Sequence, residues 1–208
     1  MVHMGVYREQ VLPRVINKVC GTKEMQVMRA KTVQGLHGTV VEIGFGSGLN
    51  VPVYPQEVTT VYAVEPATVA TKLAQQRIAV SPVRIEHVGL EGESIPLADD
   101  SCDGALSTFT LCTIPDVQQA LTEVRRVLRP GGAFHFLEHG RSPDAKVQTW
   151  QRRIEPIQKR LFDGCHLTRD IAALVEAAGF RIERMTAEYA PGPKPFSWHT
   201  QGVAIALD

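Results

Sequence analysis

Residues 40–50, VVEIGFGSGLN, constrain the fold more than any other stretch of the chain. The apolar run Val40-Val41-Glu42-Ile43 reads as a buried strand, and it breaks directly into Gly44, Gly46 and Gly48 on alternate positions. A strand that ends in a glycine turn reads as the first half of a strand–turn–helix unit. The rest of the chain repeats that alternation. Strand-like segments fall at about 39–43, 61–65, 83–87, 103–108, 133–138, 181–187 and 202–207, with helical patterns at about 67–78, 117–128 and 169–178. This order predicts a doubly wound α/β fold, a seven-stranded and mostly parallel sheet covered on both faces.

Punctuation along the chain agrees with this reading. Gly131-Gly132 after Pro130 closes one helix and turns into the strand AFHFLEH. Thr168 is placed to cap the helix that follows it, and Gly179 to end that helix. The segment PGPKP at 191–195 reads as a rigid connection. At 208 residues the chain suits a single domain, 1–208, with residues 1–30 as an N-terminal helical cap and 144–166 as a helical insertion over the site. Lys plus Arg and Asp plus Glu number 22 each, so no global field favours nucleic acid. Cys20, Cys102, Cys112 and Cys165 are scattered without a C-x-x-C pair, which argues against a metal site and for reduced thiols in a cytoplasmic protein. No apolar run approaches the roughly 18–20 residues of a membrane span.

Three ligand classes compete for the glycine turn. A dinucleotide fingerprint, G-x-G-x-x-G, would put its third glycine at Leu49 or Val51, and neither is glycine. A P-loop needs a lysine that this stretch lacks. The form present is E-x-G-x-G-x-G, with Glu42 adding negative charge at the strand end. That charge suits a ligand carrying an ammonium and a sulfonium better than a pyrophosphate. The second strand ends in Glu65, about 20 residues beyond the first glycine, where an acid accepts from ribose hydroxyls.

With LEGESIPLADDSCDGALSTFTLCTIPD (90–116) and EVRRVLRPGGAFHFLEH (123–139), the ordered set resembles the class I S-adenosylmethionine-dependent methyltransferases, whose fold is Rossmann-like. Within them it resembles the branch shared with the ubiquinone and menaquinone methyltransferases. The resemblance implies S-adenosylmethionine as cofactor and an antiparallel last strand, GVAIAL. It also implies Glu42, Gly44, Gly46 and Gly48 around the methionine moiety, Glu65 on the ribose, Glu91 and Gly92 at the adenine edge, and Thr108 and Thr110 near the sulfonium. RRIEPIQKRLFDGCHLTRDI (152–171) and SWHTQGVAIALD are similar to the thiol S-methyltransferase family of methyltransferase-like proteins, whose animal members sit on endoplasmic-reticulum membranes. His166 stands where that family usually has Asn. The implied acceptor is a small lipophilic thiol; a phospholipid amine, a quinol carbon, and a cofactor-binding scaffold without transfer activity are the alternatives.

Methyl transfer from a sulfonium relies largely on proximity and exclusion of water, but a thiol acceptor must ionise. The candidate groups beside the acceptor are Glu138 and His139 after the fifth strand and Asp163 and His166 in FDGCH; of these His139 and His166 are the candidate bases, each with a plain alternative as a capping or bracing residue. Cys165 reads as a small buried residue. In AKVQTWQRRIEPIQKRLF the apolar residues Val147, Trp150, Ile154, Ile157, Leu161 and Phe162 fall at spacings of three and four opposite a basic face. That pattern fits a packed helix, with weak peripheral membrane contact as the sharper alternative. Pro156 predicts a kink or two shorter helices. The N-terminal VYREQVLPRVINKVC repeats the pattern and is expected to cover the cofactor.

Overall fold

The computed structural model describes residues 7–89 and 93–207. Among them, β1 (Gly38–Ile43), β2 (Val58–Val64), β3 (Arg84–Gly89), β4 (Cys102–Thr108), β5 (Leu128–His139), β6 (Phe180–Tyr189) and β7 (Trp198–Ala206) form one sheet in the order β3-β2-β1-β4-β5-β7-β6. Neighbours from β3 to β5 pair in parallel. β7 runs antiparallel to both β5 and β6, so the last strand in the chain is the reversed one, as expected.

The central strands are apolar on both faces, as a strand covered twice must be. Val40 packs with Val61, Ala74 and Leu106 on one side. Val41 and Ile43 pack with Leu121, Val124, Phe134 and Phe136 on the other. Ala74 comes from α3 (Thr68–Ala79); Leu121 and Val124 come from α4 (Val117–Val127). In α4 the buried Val117, Ala120, Leu121 and Val124 recur every three or four residues, and the Asp116 side chain accepts from the Gln119 N–H to start the helix. Full burial of Leu121 or Val124 is worth roughly 1.5–3 kcal/mol each.

Three local expectations are corrected. The C-terminal helix α6 (Ile171–Ala177) is capped by Asp170, which accepts from Ala173, whereas Thr168 is taken by the Glu155 carboxylate through its N–H and its hydroxyl. Gly179 does follow the helix end, at φ 85°. Helix α5 (Ala145–Leu161) runs unbroken through Pro156, whose position is exposed, so water can take the carbonyl that proline leaves without a donor. Its apolar stripe packs only in part: Val147 is buried and Ile154 and Phe162 are half-buried, but Trp150 (56%), Ile157 (62%) and Leu161 (46%) are exposed, while the polar Gln151 is buried. Gln151 holds the helix by donating to Gly140 O at 2.9 Å and accepting from Ser142 N at 3.1 Å. The N-terminal segment is a π-helical turn (Tyr7–Val11), α1 (Leu12–Val19) and α2 (Lys23–Thr32), with Thr22 capping α2. No helix among the described residues is long and apolar enough to cross a membrane.

β1 and β4 are sheet neighbours, but the chain leaves them toward opposite edges. Their carboxyl ends flank the crevice where ligands bind in open sheets of this kind.

Candidate active site

A cavity of about 440 Å³ opens at that crevice, within the roughly 300–1,000 Å³ usual for small-molecule sites. Its floor is the glycine turn after β1, Gly44 to Ser47. Gly44 and Gly46 hold φ of 70° and 57°, conformations that side-chain-bearing residues rarely adopt. At Gly44 a Cβ would also lie 1.9 Å from Thr110 Oγ1, so this glycine lets the turn after β4 close onto the turn after β1.

Glu65, directly after β2, lines the same cavity. Its two oxygens accept from Gly46 N at 2.7 Å and Ala67 N at 2.8 Å. A carboxylate has about four lone-pair sites, so two remain for hydroxyls in the cavity. Burial pushes the Glu65 carboxyl above its ordinary range, the two N–H donors pull it back, and nearby Asp163 adds to the rise.

Glu42 is placed differently. It is 1% exposed and lies behind the cavity wall. It accepts from Asn50 Nδ2 at 2.8 Å and from the Tyr54 hydroxyl. Burial lifts its carboxyl to about 7 against the pull of those two bonds and of Arg29. Asn50 passes the network on: its Oδ1 accepts from Arg29 at 2.9 Å, and its Nδ2 also reaches Thr108 Oγ1 at 2.9 Å. Arg29 is 4% exposed, lines the cavity from α2, and stacks over Phe109 at 5.2 Å. Nothing in the KEMQVMRAKT pattern distinguishes this arginine from a solvated one, and sequence reasoning missed it.

The turn after β4 carries Thr108, Phe109 and Thr110, all on the cavity. Phe109 has φ 56°, strained for an aromatic residue, of the kind that concentrates at functional sites. The turn is held from below by Glu138 Oε1, which accepts from Ser107 Oγ (2.8 Å), Thr110 N (3.0 Å) and Leu111 N (3.1 Å). Glu138, a candidate from its place at the end of the fifth strand, acts beneath the turn and does not line the cavity, whereas sequence reasoning missed Phe109. Over the opening lie Leu12, Pro13, Ile16 and Cys20 of the N-terminal helical segment, with Phe162 and Asp163 after α5.

The two histidines expected to face the acceptor do not line this cavity. His139 Nε2 meets Cys165 Sγ at 3.0 Å. His166 braces the turn, its N–H and its Nδ1 reaching the Cys112 carbonyl at 2.8 and 3.1 Å. A hydrogen bond with Cys112, then burial, pushes the Cys165 thiol up, while His139, against the pull of burial, is lifted to about 9 by its hydrogen bond with Cys165. Glu91 and Gly92 lie outside the described residues. Cys112 and Cys165, scattered in sequence, meet in space beside His139.

Residues 41–136 match the family described as a methyltransferase domain. The chain is 34% identical to thiol S-methyltransferase TMT1B of Rattus norvegicus, covering 80% of this chain and 70% of the relative. It is 32% identical to the Homo sapiens TMT1B, covering 93% and 82%. Among solved structures it is similar to a SAM-dependent methyltransferase of Thermotoga maritima, with a TM-score of 0.69 at 20% identity over 99% of this chain and 100% of that one.

Proposed function

The chain belongs to the class I S-adenosylmethionine-dependent methyltransferases, and from that premise we propose that it methylates the sulfur of a small lipophilic thiol. The make-up of the cavity carries this reading. Its lining combines Glu65 and the glycine-turn backbone with the apolar Leu12, Ile16, Phe109, Ile114 and Phe162. A polar nucleoside and an apolar acceptor fit side by side in such a space. Relatives named thiol S-methyltransferase, with most of their length matched, support sulfur as the acceptor atom.

The site fits the cofactor on chemical grounds. Glu65 keeps acceptor capacity for two ribose hydroxyls, and Gly44 and Gly46 present backbone rather than side chain to the cavity, while Gly48 packs against Ala74 and Val51. Thr108 and Thr110 line the cavity, and in this reading they face the methyl-bearing end. Glu42 acts at one remove, holding Asn50 and Tyr54 so that Thr108 and Arg29 are fixed. When bound, the cofactor supplies an activated methyl group for in-line displacement. The protein's own share is orientation: Glu138 fixes the Thr110 turn, and the apolar residues of α1 exclude water from the reacting sulfur. His139 and His166 stand behind the cavity wall in this reading, and the acceptor ionises by its own acidity, with a free thiol pKa of about 8.5.

Labelled methyl transfer to a panel of alkyl thiols, aminophospholipids and demethylated quinols tests the acceptor. Label on thiols, rising with pH through the thiol's own ionisation, is the expected result. Label found only on an amine headgroup or a quinol carbon would overturn the acceptor assignment. A folded, cofactor-binding protein that methylates nothing in the panel would favour the scaffold alternative.

A further inference from the structure

We propose that Cys112, His139 and Cys165 form a three-ligand site for a thiophilic divalent cation, with Zn2+ as the best fit. One ligand atom from each residue lies within 4.8 Å of the other two. Tetrahedral zinc, with Zn–S of about 2.3 Å and Zn–N of about 2.0–2.1 Å, needs donors roughly 3.5–3.8 Å apart. The His139–Cys165 separation of 3.0 Å is slightly below that range, so side-chain adjustments of about 1 Å close the geometry.

The chemistry of the pocket agrees. Cys112 and Cys165 are 2% and 4% exposed, and two thiolates balance the charge of a divalent ion, so the loaded site is neutral where a buried net charge would be costly. His139 turns Nε2 toward Cys165 Sγ, so Nε2 is the ring nitrogen that would meet the ion.

The donors are also pre-positioned by backbone. The Cys112 carbonyl is held by His166, Cys165 N donates to Phe162 O at 3.0 Å, and His139 lies in register with His199 in the β5–β7 ladder. Three ligands leave a fourth tetrahedral position for water or another ligand. The three segments tied together are the turn after β4, the end of β5 and the loop after α5. Two of them carry Thr110, Thr113, Phe162 and Asp163 of the cavity wall, so an ion here would fix the wall from behind.

The test uses full-length protein, reduced and stripped with chelator, titrated with Zn2+ against a chromophoric competitor and separately with Co2+. One ion per chain is expected, with near-ultraviolet sulfur-to-cobalt bands and visible bands of four-coordinate cobalt. Cys112→Ser, Cys165→Ser and His139→Ala should each weaken binding at least about 100-fold, while Cys102→Ser should not. A folded parent protein with no sulfur-to-cobalt bands would overturn the proposal whatever the variants do. So would variants that bind as tightly as the parent. Neither readout depends on methyl transfer, so the metal site and the acceptor assignment stand or fall separately.

Discussion

Replacing Glu42 by Gln should stabilise the protein at alkaline pH and change the pH dependence of its stability. Glu42 is fully enclosed, and burial lifts its carboxyl from 4.5 to about 7. A carboxyl raised on folding binds its proton more tightly in the native state than in the unfolded one. Stability is therefore greatest below the unfolded value and falls as pH rises from about 4.5 to about 7, after which this contribution is flat. The 2.5-unit difference between 4.5 and 7 corresponds to at most about 3 kcal/mol. Gln mimics the protonated form: its oxygen can accept from Asn50 Nδ2, and its amide can donate to the Tyr54 oxygen. Urea unfolding of parent and variant at pH 5 and pH 8.5 measures the effect as a difference of differences, in which Glu65 and Glu138, also raised by burial, cancel. The variant should gain about 2–3 kcal/mol on the parent between the two pH values. A difference that stays flat would mean Glu42 titrates normally. The opposite sign would mean that Arg29 holds it ionised, and the desolvation argument would be refuted.

Three further outcomes follow from the site. Glu65→Gln puts an amide donor against the N–H of Gly46 or Ala67 and weakens two charge-assisted bonds to the cofactor, so calorimetry with S-adenosylhomocysteine should show a loss of about 2–4 kcal/mol, roughly 30- to 1,000-fold. His166→Ala removes the brace on the Cys112 carbonyl and should lower turnover by a similar factor at every pH; a defect that disappears at high pH would restore His166 as the base. The exposed Trp150, Ile157 and Leu161 lie on a helix that also exposes Arg152, Arg153, Lys159 and Arg160, so flotation should recover part of the protein with anionic vesicles at low salt and none at high salt; no recovery at low salt would remove the membrane reading.

Much of the fold was legible because its signals are local. The runs at 40–43 and 104–106 are dominated by small and branched apolar residues, the glycine turn needs positive φ at alternate positions, and α4 shows a clean three-to-four spacing. The errors arose where a distant partner overrode local pattern. Thr168 has the chemistry of a cap, but the Glu155 carboxylate claims it and leaves Asp170 to start the helix. In α5 the periodic apolar residues suggested the buried face, yet Gln151 is fixed there beside Val147 by Gly140 and Ser142, and Trp150, Ile157 and Leu161 are left outside.

The site shows the same division between chemistry that sequence can name and direction that it cannot. Glu42 and Glu65 both mark the end of a strand beside the crevice, and spacing alone gives them equal claims on a ligand. Glu42 is the penultimate residue of β1, and its side chain turns into Asn50 and Tyr54. Glu65 is one residue past β2, where the strand has already released the backbone and the carboxylate can meet the Gly46 N–H at the cavity edge. One residue relative to the strand end therefore separates a buried strut from a ligand-facing acid. Cys112 and Cys165 make the complementary point. They are far apart in sequence and come together only because the turn after β4 and the loop after α5 both close over the end of β5. Metal-ligand spacing rules look along one segment, and a site assembled from three segments leaves them nothing to find.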